Sequence, residues 1–147
     1  MIGLAACLIP LLLALPLGAA DLEAVKAEPN LEKRARKALD NASVAFKAAQ
    51  EAYMQKGDLK LTTAALDEVA QSVELADLSL KQTGKNPRRS PKHFKYAEIR
   101  TRELLRRLTD FREQMSALDR DDIDKVRAAV QKVHDDLLVG IMGKKKN

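Results

Sequence analysis

The side chains that could carry chemistry are few. The 147-residue chain has one cysteine, Cys7, two histidines, His93 and His134, four methionines and no tryptophan. A carboxylate-bridged metal site inside a helical bundle needs Glu-x-x-His steps, but the residues three before His93 and His134 are Ser90 and Gln131. Two histidines and one distant thiol do not make a tetrahedral zinc site. Ser-His-Asp hydrolysis would need loops to aim a histidine at a serine, and there is no Gly-rich phosphate loop. No catalytic residue, metal or cofactor is therefore expected. The one cofactor reading with candidate ligands is haem, held as in b-type cytochrome bundles by a Met and a His. Met54, Met115 and Met142 would face His134 in such a site. His134 lies one step off the apolar seam of its helix, Met54 falls near the opposite end, and no Cys-x-x-Cys-His is present. Haem binding stands as the alternative to the reading developed below.

Charge is more informative. Lys and Arg number 26 against 21 Asp and Glu, a net charge of +5, and the excess is concentrated. Between Lys81 and Arg112 stand eleven bases and three acids (Glu98, Glu103, Asp110), a net of +8, so the remainder sums to −3. Arg100 and Arg107, seven apart, are expected to face acids such as Asp58, Asp67 or Asp77 of the preceding helix. Glu98 with Arg102 and Glu103 with Arg107 are favourable i,i+4 pairs. Arg88, Arg89, Lys92, Lys95, Arg102 and Arg106 are expected to remain outward as a patch for an anionic partner. No aromatic residue interleaves them as a base-stacking platform, so nucleic acid is not the expected partner. A second candidate surface is apolar: Leu61, Leu75 and Leu78 lie off the seam of their helix and form a candidate self-association face, giving a homodimer.

The elements that must position these residues begin after residue 20. Residues 1–20 contain no charge, and Leu8 to Leu17 form an apolar run of ten broken by Pro10 and Pro16. Gly18, Ala19 and Ala20 then precede Asp21, the pattern of a secretory signal peptide cut after Ala20. The run is short for a spanning helix, which needs about 20 apolar residues. Cys7 precedes the apolar run instead of closing it, which argues against lipidation. Cutting after Ala20 leaves 127 residues without cysteine, so disulfides are excluded. The mature chain is expected to be periplasmic or secreted from a bacterial host, with no transmembrane segment.

In residues 30–56 neither Gly nor Pro occurs, and Leu31, Ala35, Ala38, Ala42, Ala45, Ala49 and Ala52 recur at steps of four and three, with Leu39, Phe46 and Tyr53 alongside. Residues 58–82 repeat the pattern through Leu59, Thr62, Leu66, Val69, Val73, Ala76 and Leu80. After a Pro-containing basic loop, residues 83–91, the seam resumes in residues 92–118 at Phe94, Ala97, Thr101, Leu104, Leu108, Phe111, Met115 and Leu118. It resumes again in residues 121–139 at Ile123, Val126, Val130, Val133 and Leu137. Asp119, Asp121 and Asp122 mark the start of that last helix. Residues 143–147 form a basic tail. The expected fold is all-α, an up-down-up-down four-helix bundle made of two αα-hairpins after a signal peptide. Ala70-Gln71-Ser72-Val73 resembles Val130-Gln131-Lys132-Val133 sixty residues on, too short a match to mark a repeat. The function expected is that of an exported, non-catalytic interaction or scaffold protein contacting an anionic or helical partner. A membrane-surface binder acting through the basic loop and Lys144, Lys145 and Lys146 is a further alternative.

Overall fold

A computed structural model describes residues 20–143. Apart from Ala20, the expected signal peptide with Cys7 lies outside the described residues, as do Lys144, Lys145 and Lys146. All regular structure among the described residues is helical. It comprises α1 (Leu22–Lys26), α2 (Leu31–Met54), α3 (Leu59–Gln82), α4 (Lys92–Gln114), a 3-10 turn (Ala117–Asp119) and α5 (Asp121–Met142). None of these helices is long and apolar enough to cross a membrane.

Local chemistry sets the helix ends. Asn30 Oδ1 accepts from Lys33 N at 2.9 Å and Asp58 Oδ1 from Leu61 N at 3.0 Å, side-chain caps that satisfy first-turn amides of α2 and α3. Between α2 and α3 the chain reverses at Gly57, whose φ of +60° suits glycine. The four long helices pack as a bundle around the seam read from the sequence. Ala38, Ala49, Phe46, Val69, Leu108, Phe111, Ile123 and Val130 are all fully buried. Phe46 of α2 meets Phe111 of α4 edge to face at 5.8 Å, and Tyr53 meets the same ring at 5.9 Å.

The two hairpins form as expected, but they do not pack in simple rotation. The hairpins α2–α3 and α4–α5 stack so that α2 lies beside α4 and α3 beside α5, leaving α3 and α4 on the diagonal. Register across the stack is parallel. Glu32 meets His93 Nε2 at 2.8 Å near the start of α2 and α4, Asp40 meets Arg100 at 2.9 Å midway, and Tyr53 meets Asp119 at the far end. Thr63 of α3 likewise donates to Asp122 of α5 at 2.8 Å. The second and third long helices are therefore not side by side. Loop length permits this: residues 83–91 span up to about 30 Å when extended, more than the diagonal of helices packed about 8–10 Å apart. The loop crosses the end of the bundle and seats Pro87 on α5, where a Cβ on Gly140 would lie 3.2 Å from Pro87 Cγ.

Two helix ends and one additional element differ from expectation. Helix α4 stops at Gln114 because Met115 turns extended and Ser116 N donates to the Tyr53 hydroxyl at 2.9 Å. Tyr53 in turn donates to Asp119 Oδ2 at 2.9 Å, and Arg120 Nε to Met115 O at 3.1 Å. Leu118, expected in the seam, is thrown outward and is 92% exposed. At the start of α3, Leu59 is exposed as well. Helix α5 runs through Gly140 to Met142, because Gly140 serves the close approach of Pro87 and does not stop the helix. Finally, α1 was not anticipated. Its signal is Asp21, whose side chain accepts from Ala24 N, and Val25, which is buried.

The alanine seam sets a test. Ala49 is fully buried and Ala48 is exposed. Ala49→Leu is expected to destabilise the fold by about 1–3 kcal/mol through overpacking and Ala48→Leu to leave it nearly unchanged, both measured by urea unfolding.

Candidate functional site

The basic block is sorted by the fold into two sets. In the first, carboxylates or rings occupy the charge. Lys81 lies 2.7 Å from Asp77 and 3.9 Å from Asp136, and its pKa is raised chiefly by the hydrogen bond to Asp77. Lys85 pairs with Glu32, which also faces His93, and the Lys85 hydrogen bond holds the Glu32 carboxyl below its ordinary range. Arg100 donates to Asp40 at 2.9 Å, Ser43 at 3.0 Å and Tyr96 at 2.6 Å. Arg107 lies 4.5 Å from the centre of the Phe46 ring, a cation–π contact.

These contacts correct the expected partners. Arg100 and Arg107 face α2, not Asp58, Asp67 or Asp77 of α3, because α3 lies across the diagonal from α4. Glu98 pairs with Arg102 as expected, at 3.6 Å, whereas Arg107 is taken up by Phe46 instead of Glu103.

The second set is the six bases expected to face outward. Arg88, Arg89, Lys92, Lys95, Arg102 and Arg106 are all exposed. Arg88, Arg89, Lys92 and Lys95 form no ion pair among the described residues, and Arg106 reaches Asp110 only at 4.0 Å. Their positions follow from two elements. In the loop, Asn86 organises a turn: its Oδ1 accepts from Arg88 N at 2.9 Å and its carbonyl from Ser90 N at 2.8 Å. Arg88 then rests against Gly143, where a Cβ would come within 2.9 Å of the guanidinium carbon. On α4, Lys95, Ile99, Arg102 and Arg106 recur at steps of four and three, so they lie on one helical face. That strip is about 16 Å long from the helical rise.

Sequence reasoning missed how the strip ends. Beside Arg106 opens a groove of about 580 Å³ between α4 and α5, lined by Leu105, Thr109, Arg112, Asp124, Arg127 and Gln131. Asp124 is shared by Arg112 at 2.6 Å and Arg127 at 3.3 Å, so one carboxylate serves two guanidinium groups. Arg127 Nε is buried with no hydrogen-bond partner among the described residues. Arg127 is distant in sequence from the block, and only the pairing of α4 with α5 adds it.

The remaining candidates are dispersed. Leu61 and Leu78 are half exposed, and Leu75 is partly buried against the core. The haem ligands are not brought together. Met54 and Met142 are exposed at opposite ends of the bundle, and Met115 is buried at the α4–α5 turn. His134 is buried between α4 and α5, with Nδ1 hydrogen-bonded to Thr101 Oγ1 at 3.0 Å and Nε2 3.9 Å from Glu98. Among the described residues no group of three His, Cys, Asp or Glu side chains converges to hold a metal ion.

Two outcomes are expected from these contacts. Thr101→Val leaves buried His134 without its partner and costs about 1–3 kcal/mol, and Thr101→Val with His134→Leu recovers much of that loss in the same unfolding assay. The hydrogen bond from Arg112 lowers the pKa of Asp124, so its contribution is complete above the ordinary aspartate range near 3.9. It disappears as pH falls through the lower folded value. Stability of the wild-type chain is therefore expected to fall more steeply below about pH 4 than that of Asp124→Asn, read by thermal unfolding at stepped pH. No known protein family, curated protein or solved structure shows a significant match to this chain.

Proposed function

We propose that this chain is an exported, non-catalytic contact protein that binds an anionic partner, an acidic protein or envelope polymer, through the basic strip of the loop and α4. The observation that carries this reading is the sorting of the block. Lys81, Lys85, Arg100 and Arg112 are neutralised by Asp77, Glu32, Asp40 and Asp124, while Arg88, Arg89, Lys92 and Lys95 stay exposed with no ion pair among the described residues and Arg102 and Arg106 stay exposed with only i,i+4 contacts at 3.6 and 4.0 Å. Bases that only kept the fold soluble would not need to be segregated from the acids; a surface that attracts an anion does. The groove at the end of the strip adds Arg112 and Arg127 around a single Asp124, a further excess of positive charge where a partner's carboxylate could seat. Export rests on the uncharged leader and the small residues before Asp21.

A second reading draws on the loop end of the bundle. Val139 and Met142 are exposed on α5 close to Arg88, which lies against Gly143. Apolar side chains beside bases also suit an anionic lipid surface.

Four substitutions test the first reading against simple loss of charge. Arg88→Gln, Arg89→Gln, Arg102→Gln and Arg106→Gln together are compared with the four exposed lysines Lys47, Lys56, Lys60 and Lys132 changed to Gln, which carry the same net charge. On a sulfonated resin the first variant is expected to elute at clearly lower salt than the second, with both keeping the wild-type melting temperature. Equal elution would refute a localised face. Binding to vesicles containing phosphatidylglycerol that Met142→Asp abolishes would favour the lipid reading.

A further inference from the structure

One buried polar group stands apart from both the core and the basic strip. Asn41 sits on α2 beside the alanine seam and is only 7% exposed. A buried amide is costly unless every polar atom is satisfied, and here the partners define its orientation. Asn41 Nδ2 donates to Ser72 Oγ at 2.9 Å and Glu68 Oε1 at 3.1 Å, so Oδ1 points the other way and accepts from Asp21 N at 2.8 Å. Asp21 Oδ1 caps Ala24 N at 3.1 Å, and Val25 enters the core. The short α1 thus has two anchors, one apolar and one polar, and the polar anchor grips one particular backbone nitrogen.

That nitrogen is the one that the sequence marks for release. Residues Gly18, Ala19 and Ala20 place the signal-peptide cut between Ala20 and Asp21. We propose that Asn41 is the receptor for the mature amino terminus: the Asp21 ammonium exposed by cleavage keeps the bond to Asn41 Oδ1 and locks α1 onto α2 and α3. The proposal rests on the export reading above.

In the cleavage, the leader peptidase of the exporting cell breaks the Ala20–Asp21 amide with one water. The oxygen of that water ends on Ala20 as carboxylate, and its two protons convert the Asp21 amide nitrogen to ammonium. The acceptor then faces a charged donor in place of a neutral one, which strengthens the bond, a mode of amine capture known in peptide recognition. The charged groups around the ammonium are the Asp21 carboxylate, Lys37 and Asp40 of α2, which line the same hollow as Asn41, and Glu68 of α3 behind the Asn41 amide. Ala20 is half-buried and packs against the core, so cleavage precedes docking of this segment.

The test uses the full chain expressed with its leader in a secreting bacterium. Intact mass of the exported protein is expected to correspond to a chain starting at Asp21; an exported chain with any other start overturns this proposal alone, whereas a chain retained in the cell with its leader overturns the export reading and this proposal with it. The α-amine is then tagged by reductive methylation with ¹³C-formaldehyde, and its titration is followed by NMR. Compared with the wild type, Asn41→Leu is expected to lower the affinity of the amine for its proton by about tenfold. A chain with one glycine inserted between Ala20 and Asp21, which moves the ammonium away from Asn41 without touching the core, is expected to show the same loss. A start at Asp21 with equal titration of wild type and glycine-inserted chain overturns the proposal and leaves the export reading standing. The insertion decides the matter even where Asn41→Leu fails to fold.

Discussion

The alanine seam of α2 is the constraint on which the rest of the structure depends. Ala35, Ala38, Ala42, Ala45, Ala49 and Ala52 are all buried, and α2 makes its closest approach to α3 along them. Methyl-sized side chains let two helices approach closely but supply little volume. The bulk must then come from the other layer, and it does: Phe94, Leu104, Leu108 and Phe111 of α4 and Ile123, Val130 and Leu137 of α5 fill the space over the thin hairpin. Phe46, the large side chain on the flank of the seam, reaches across to meet Phe111. A tight hairpin with an apolar flank is complete only when the second hairpin lies over it.

That stacking also decides the charges. Because α4 lies beside α2, the arginines on its α2-facing side find an aromatic ring or an acid there. Arg100 meets Tyr96 and Asp40, and Arg107 lies over Phe46. The bases on the opposite flank form no ion pair with another helix among the described residues, and Arg102 and Arg106 reach only Glu98 and Asp110 of α4 itself. The exposed strip is therefore the part of the basic block left over when the interior has taken the groups it can pair, and its position follows from the parallel register of α2 and α4.

Much of this was readable in advance. The seams of α2, α4 and α5 follow strict spacing, and nearly every residue assigned to them is buried. On α4 the outward bases Lys92, Lys95, Arg102 and Arg106 share one face by helical spacing, whereas Arg88 and Arg89 stand in the loop, where spacing carries no such information. The neighbours of each helix were not readable, since periodicity says which face is buried and not what covers it. For that reason spacing alone directs Arg100 and Arg107 to acids of α3, whereas they meet Asp40 and Phe46 of α2. The end of α4 depends on Tyr53, sixty-odd residues away in sequence, and no local signal carries such a contact. Likewise Gly140 reads as a helix stop until Pro87 is seen against it. Asp40 with Arg100 and Thr63 with Asp122 are 60 and 59 residues apart. The brief similarity between residues 70–73 and 130–133 thus has a spatial counterpart, although four residues could not establish it.

The parallel arrangement has a consequence for how the molecule ends. Two hairpins stacked in parallel register leave each layer with one broad face packed on the other and one broad face turned outward. The five residues of α1 lie over part of the outer side of the first layer, packed on α2 and α3. On the outer side of the second layer the described residues place no helix; that side carries the grooved, arginine-rich surface instead. The two broad faces of the bundle are therefore unlike, one partly covered by α1 and the other open along the groove between α4 and α5.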